Sequence, residues 1–290
     1  ICCLISKSAF LNPSITISLI GLHVACVIAV AYWWEFGFYA VSWVVAAIRT
    51  IGGGLGVSIW YHRYLTHQSF SCKSKTLSYF MIYWGGLYQD AKTWVANHLS
   101  HHAYTDTEQD PHSLEWPYNG GLRGFLWSHM VWLFYRFTPP DRFLKHPSLQ
   151  DQTVIWEHKW HVLIVASGFI IPVIIGGLYG ISTAGPVGFL IYGFDALLAS
   201  VVSMVFSLHV TWLINSSGHM FGWRARKQGD LHYAHDSSRD NPLLALISFG
   251  EGNHGSHHKN PASPRIGWLD PSWPVILLLK NLGLISLKVS

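Results

Sequence analysis

The sequence predicts an all-α integral membrane protein, with four transmembrane helices in two hairpins and a cytosolic helical cap holding a histidine-rich dimetal site. Three observations predict this. Half of the 290 residues are hydrophobic and only 12% are charged, against about a quarter charged in an average soluble domain. Four apolar runs are long enough to cross a bilayer, which takes about 20 helical residues. The 18 histidines nearly equal the 19 Lys and Arg residues together, and they cluster.

The first run, about 14–34, contains no charged residue. Glu35-Phe36-Gly37 turns the chain into a second run, about 38–61, which carries Arg49. The third run covers about 160–179. After the turn sequence at 180–186 the fourth covers about 187–215, with Asp195 near its start. Of the 19 Lys and Arg, 18 fall in 1–13, 62–159 or 216–290, and the two short loops hold none. The positive-inside rule makes that side cytoplasmic. The expectation is one multi-pass domain over 1–290 whose cytosolic cap is built from 62–159 and 216–290. It would sit in the endoplasmic reticulum of a eukaryote or the inner membrane of a bacterium. Residues 76–88, 122–137 and 275–287 are too short or too mixed to cross, and are expected to lie in the plane of the interface.

Composition excludes other classes. A net charge of +4 with no basic run does not suit nucleic acid. Cys2, Cys3, Cys26 and Cys72 have neither CxxC nor zinc-finger spacing. The first residue is Ile, and no basic segment with a small-residue cleavage site is visible.

The chemistry is in three clusters: His62 with His67, then His98, His101 and His102, then His254, His257 and His258. The last two share the pattern HxxHH. Residues at i, i+3 and i+4 of a helix share a face, so each box is expected to present three imidazoles to one point. Neutral imidazole suits Fe, Zn, Cu and Ni. Eight ring nitrogens suffice for two metals with an open position on each. Axial haem histidines would be expected inside the spans, so the pattern favours non-haem iron activating oxygen. A metal transporter would likewise place its ligands inside the spans. Single histidines such as His23, His146, His158 and His161 are expected to be structural hydrogen-bonders.

These boxes, their order and their spacing resemble the membrane-bound fatty acid desaturases, and more narrowly the stearoyl-CoA (Δ9) desaturase family. His62-Arg63-Tyr64-Leu65-Thr66-His67 is similar to the first box of that family. Asp110-Pro111-His112-Ser113, Gly124-Phe125-Leu126-Trp127-Ser128-His129, Thr211-Trp212-Leu213-Ile214-Asn215-Ser216-Ser217-Gly218-His219 and Glu251-Gly252-Asn253-His254 resemble its other strings. The resemblance covers about Phe38 to the C-terminus. It implies that His219 joins the other eight as a ninth ligand and that Asn215 reaches a metal through water. On the residues alone, Asn215 reads equally as a helix C-cap. Asp106, Asp110, His112 and His129 are expected either to fix imidazole tautomers or to hold loops.

The resemblance further implies two Fe2+ ions, O2 as co-substrate and a long-chain fatty acyl thioester or lipid as substrate. Its product would carry a cis double bond, at Δ9 by the narrower match. Trp94, Thr211 and Trp212 would line the acyl tunnel, though they read equally as core aromatics and core polar groups. Gly54, within the stretch from Thr50 to Gly56, would help close the tunnel's far end, or serve close helix packing. No cytochrome b5 haem string or dinucleotide fingerprint is present, so a separate donor, cytochrome b5 or a ferredoxin, is expected. A diiron lipid hydroxylase is the neighbouring alternative. Two departures stand out. Ten residues, 114–123, separate two strings that the family spaces by about three, and Ala96 stands where acyl-CoA enzymes carry a basic residue.

Overall fold

The computed structural model describes residues 11–225 and 235–288; Cys2 and Cys3 lie outside the described residues. Helix α1 (Pro13–Phe36) starts at Asn12, whose side chain accepts from the Ile15 amide, with Pro13 in the first turn. It ends at Gly37, whose φ of 78° is a left-handed conformation that favours glycine. Helix α2 (Ala40–Leu55) runs without interruption into a π-helix, Gly56–Thr66. A short strand β1 (Phe70–Cys72), α3 (Lys75–Gly86) and α4 (Ala91–Tyr104) follow. Then come α5 (Gly121–His129), the short α6 (Asp141–Leu144) and the 69-residue α7 (Gln152–Met220). The chain closes with α8 (Pro242–Ile247), α9 (His254–Lys259), α10 (Trp273–Asn281) and β2 (Ile285–Leu287). Strand β2 pairs antiparallel with β1, Phe70 opposite Leu287.

Among the described residues three helical stretches are long and apolar enough to cross a membrane: Pro13–Phe36, Ala40–Thr66 and Gln152–Met220. The last is not straight. Ala184 and Gly185 leave helical geometry, Gly185 at φ 64°, just before Pro186. Small residues then meet across the break: a side chain on Gly180 would run into the Gly188 carbonyl, one on Gly176 into Tyr192, and one on Gly193 would reach Val173. These pairings run in opposite chain directions, so the two halves of α7 pack antiparallel, their backbones brought close by the absence of side chains.

Asp195, a buried charge flagged in the fourth apolar run, accepts from Trp33 Nε1 at 2.5 Å and the Tyr39 amide at 2.9 Å. It ties the end of α1 and the start of α2 to the second half of α7. Arg49 lies between the rings of Tyr88 and Phe169, 5.9 and 5.2 Å from their centroids.

Of the three segments expected at the interface, 76–88 falls largely in the single helix α3, and the other two are less regular. Residues 122–137 form α5 and then a 3-10 turn, Val131–Phe134, because Met130 breaks the helix at φ −149°. Residues 275–287 split into α10 and β2. The main core gathers Ile59, Trp60, Tyr61, Ile82, Val95 and Ile276, all fully buried. It thus joins the π-helix, α3, α4 and α10 into one cap beneath the histidines.

Candidate metal centre

The three histidine boxes and His219 converge as two groups. Five imidazoles, His62, His67, His98, His102 and His257, form one; His101, His219, His254 and His258 form the other. Each HxxHH is therefore divided, not aimed at one point as expected. At about 100° per residue, the first and fourth-next histidines of a box sit about 40° apart, while the third-next lies on the opposite flank. In α4 the pair His98 and His102 serves the first group and His101 the second. In α9 the pair His254 and His258 serves the second group and His257 the first. The two helices face each other and exchange one ligand each.

The first box uses a different device. In an α-helix, residues five apart point about 140° away from each other. Over Gly56–Thr66 the chain is π-helical, and the His67 amide donates to the His62 carbonyl at 3.1 Å. That five-residue repeat brings the two rings together, 4.8 Å between centroids. A π-turn at a functional site is a recurrent arrangement.

In the five-histidine group Nε2 atoms face each other at 2.9 Å (His62 and His257), 2.9 Å (His257 and His102), 3.1 Å (His102 and His98) and 3.1 Å (His98 and His67). In the other they lie at 3.0 Å (His219 and His254) and 3.2 Å (His101 and His258). A series of such contacts cannot be hydrogen-bonded throughout, since a ring nitrogen that carries hydrogen has no lone pair with which to accept. The opposite ring atoms settle the tautomers. His101 Nδ1–H donates to Asp110 at 2.9 Å, His219 Nδ1–H to Asp106 at 3.0 Å and His258 Nδ1–H to Asp236 at 2.8 Å. His62 Nδ1 meets Glu251 in a close contact. The Nε2 of each of these four rings, when neutral, is then a bare lone pair aimed into its group. Lone pairs facing at this spacing repel unless a cation lies between them. Ligands about 2.0–2.1 Å from a metal and at right angles to each other stand about 2.9 Å apart, so the donor set fits a metal in each group.

Electrostatics keep five of the rings in the metal-binding form. Burial first, then crowding by neighbouring charged groups, holds His67, His98, His102, His254 and His257 well below the ordinary histidine range. Neutral imidazole is what coordination requires. Burial raises the carboxyls of Asp106, Asp110 and Glu251, but the facing histidines outweigh it and hold all three below the usual carboxylate range.

Asp106 and Asp110 each face the outer nitrogen of an imidazole, His219 and His101 respectively. His112 makes no such contact: its Nδ1 is 3.6 Å from Asp110, too far for a hydrogen bond, and burial lowers it to about 3. Its contribution is its backbone amide, which holds Asp110 Oδ1 at 3.2 Å. His129 touches no ligand. It lies 2.9 Å from His209 and 3.0 Å from Ser216, and His209 in turn lies 3.0 Å from His23. His23, His146, His158 and His161 are each hydrogen-bonded, to His209 and Leu19, Ser148, Asp90 and Glu157 respectively. Asn215 is inside α7, well before its cap at Phe221, so it is not a C-cap.

One cavity runs beside the groups. Trp94, Thr211, Trp212, Gly54 and Asn215 all line it, together with His98, His101 and His254. Trp94 stacks on His98, 4.8 Å between rings.

Sequence reasoning missed Asp236 and the role of Arg63. Arg63 is fully buried and donates to the Ser58 carbonyl and Glu251 at 2.9 Å each and to both Asp270 oxygens at 3.1 Å. It balances the carboxylate that orients His62. The available signal was arithmetic: each buried imidazole needs an acceptor for its outer N–H, so every buried carboxylate near a box was a candidate.

The chain matches the family model described as fatty acid desaturase over residues 33–266. It is 33% identical over 275 residues to Delta-9 acyl-lipid desaturase 1 of Arabidopsis thaliana, covering 91% of this chain and 79% of that protein. It is 33% identical over 276 residues to Acyl-CoA 5-desaturase AL21 of Anemone leveillei, covering 92% and 76%. It is 31% identical over 280 residues to sn-1 stearoyl-lipid 9-desaturase of Anabaena variabilis, covering 93% and 91%. The chain belongs to the fatty acid desaturase family and is an oxidoreductase that desaturates fatty acyl chains.

Proposed function

We propose that the protein inserts a cis double bond at the Δ9 position of a long-chain fatty acyl group, using O2 and two Fe2+ ions held by the nine histidines. The observation that carries this is the facing of bare Nε2 lone pairs in two groups beside one cavity. When bound, the irons would supply the oxidising power that removes hydrogen from an unactivated methylene, which no side chain possesses. His62, His67, His98, His102 and His257 would hold one ion. His101, His219, His254 and His258 would hold the other, with Asn215 reaching it through water.

The protein's own contribution is placement. Trp94, Thr211 and Trp212 form the cavity wall beside the imidazoles, and a chain seated against them has one carbon–carbon bond held next to the groups. Asp106, Asp110, Asp236 and Glu251 keep Nδ1 protonated and Nε2 free on the four rings they face, His219, His101, His258 and His62, and raise ligand basicity. The buried walls exclude water from the reacting bond.

The reading extends to the membrane. The break at Ala184–Gly185 supports four crossings in two hairpins, with the histidine groups facing the cytoplasm where Lys and Arg collect. Electrons are proposed to come from a separate donor, cytochrome b5 or a ferredoxin. A lipid-linked acyl chain is the proposed substrate, because Ala96 is fully buried and offers nothing to a soluble headgroup. The test is expression in a desaturase-deficient host, with lipids analysed and double bonds mapped. New Δ9 monounsaturated chains in membrane lipids are expected; hydroxylated chains or unchanged lipids would overturn the proposal.

A further inference from the structure

Residues 114–123 separate two strings more widely than the family does, and none of them belongs to either histidine group. They form a compact loop against α5. The Gly120 amide donates to the Leu114 carbonyl at 3.2 Å, and the Trp116 amide to Ser113 Oγ at 2.9 Å. A side chain on Gly124 would strike the Leu114 carbonyl, so the start of the loop packs directly on the helix. Asn119, Gly120 and Gly121, at φ 52°, 73° and 63°, turn the chain into α5.

The loop and α5 present a mixed surface. Trp116 and Tyr118 are exposed, and so are Leu122 and Leu126, one helical turn apart. Tyr118, Arg123, Leu126, Trp127 and Val131 line a pocket between the loop, α5 and the 3-10 turn. The rings of Tyr118 and Trp127 stand 5.9 Å apart. Arg123 is exposed, and among the described residues no carboxylate pairs with it. The one carboxylate of the loop, Glu115, lies instead against Gly120.

Two contacts set the depth of this pocket. The Asn12 amide donates to the Phe134 carbonyl at 2.7 Å and Leu11 bridges to Tyr135, so the 3-10 turn sits where α1 begins. Phe125 meets Phe221, 6.3 Å between rings, just past the end of α7. Both are ends of long apolar helices, so the pocket lies at the level of lipid headgroups. Exposed Trp, Tyr and Leu beside a cation are the composition of that layer. The same turn also reaches the acyl cavity. Trp132 and Leu133 line it together with His112, two residues before the loop. The Trp132 ring is 5.3 Å from His112, and His112 is 4.5 Å from the ligand His101.

We propose that the pocket around Arg123 holds the phosphate of a glycerophospholipid whose acyl chain enters the neighbouring cavity. The substrates are then phospholipid-linked chains, in preference to chains on neutral lipids. This rests on the reading of the cavity as the acyl tunnel. The guanidinium fork matches two phosphate oxygens with parallel N–H donors. Tyr118 and Trp127 wall the headgroup, while Leu122 and Leu126 reach the acyl layer. A diacylglycerol fits the same apolar rim but leaves the guanidinium unpaired.

The test titrates purified protein in a neutral detergent with short-chain phosphatidylcholine, with the matching diacylglycerol and with inorganic phosphate, read by calorimetry. It compares wild type, Arg123→Gln, Arg123→Lys and, as a control, Lys145→Gln, which removes an exposed charge outside the pocket. Phosphatidylcholine is expected to bind wild type about tenfold more tightly than diacylglycerol, the scale of one hydrogen bond to a charged group. Arg123→Gln should bring the ratio close to one. Arg123→Lys should keep part of it, as a point charge without the fork, and Lys145→Gln should keep all of it. Inorganic phosphate should bind more weakly than the phospholipid, because it gains nothing from the apolar rim. In a desaturase-deficient host, Arg123→Gln should shift new double bonds from phospholipids toward neutral lipids. Equal affinity of wild type for phospholipid and diacylglycerol overturns the proposal. So does an Arg123→Gln variant that keeps the wild-type ratio, or inorganic phosphate that binds as tightly as the phospholipid. If Arg123→Gln does not accumulate, the wild-type ratio and Arg123→Lys decide. A wild type that prefers phospholipid and makes no unsaturated product counts against the desaturase reading alone; one that desaturates without the preference counts against this pocket alone.

Discussion

The two histidine groups are built from the same parts and are not equivalent. The five-histidine group takes both rings of the first box, and three of its members, His67, His98 and His102, are only half-buried. Among its described contacts one carboxylate, Glu251, backs a ring, and Arg63 offsets that charge. The four-histidine group is wholly buried, and three of its rings lean on Asp106, Asp110 and Asp236. One group is rich in ligands and sparsely buttressed; the other is short of ligands and strongly buttressed. Dispensability should therefore differ between them. A spare imidazole can be lost from the first more cheaply than any ligand, or its carboxylate, from the second.

The largest effect should follow His219→Ala. It leaves three imidazoles and an Asp106 that has lost its imidazole partner and keeps only Ser237, so activity should fall at least about 100-fold, with roughly half of the bound iron lost on elemental analysis, the scale at which even outer partners of a metal matter. His67→Ala, which leaves four imidazoles in its group, should retain more iron than His219→Ala. Equal losses would break the comparison. Next in size, Arg63→Met strands Glu251 and Asp270 in the interior, and should lower stability by about 3–5 kcal/mol, read as a drop in thermal midpoint in detergent. Asp106→Asn and Asp110→Asn should each lower metal affinity or activity about 10–100-fold, measured by iron titration. Glu251→Gln sharpens the contrast by doing the same to the other group. The smallest effect is expected from His129→Ala, which removes hydrogen bonds worth about 0.5–1.5 kcal/mol each and should leave iron content unchanged. Loss of iron there would mean that the His129–His209–His23 chain supports the centre after all.

Much of this was legible in the chain. The box histidines and His219 gather in two groups, with Asn215 lining the cavity beside them, because their spacing reflects helix geometry, and Asp106 and Asp110 were readable as carboxylates close behind a box. The division of each HxxHH was also implicit in the helical repeat, since i and i+4 diverge from i+3. The π-helix was not, because nothing in Gly56–Thr66 signals it except that two ligands five apart cannot otherwise meet. Asp236, the Arg63 network and the partners of His129 depend on tertiary contacts between segments from 22 to 207 residues apart, and no local pattern encodes those. The break in α7 was visible at Gly185-Pro186, whereas the split of residues 122–137 at Met130 carried no turn residue to announce it.

The most direct test of the account is the stoichiometry of metal binding. Purified protein stripped of metal and titrated anaerobically with Fe2+ should take up about two ions per chain, and the His219→Ala variant about one, with the histidine-bound spectrum of the first group retained. Saturation of the wild type at a single ion would contradict the two-group centre.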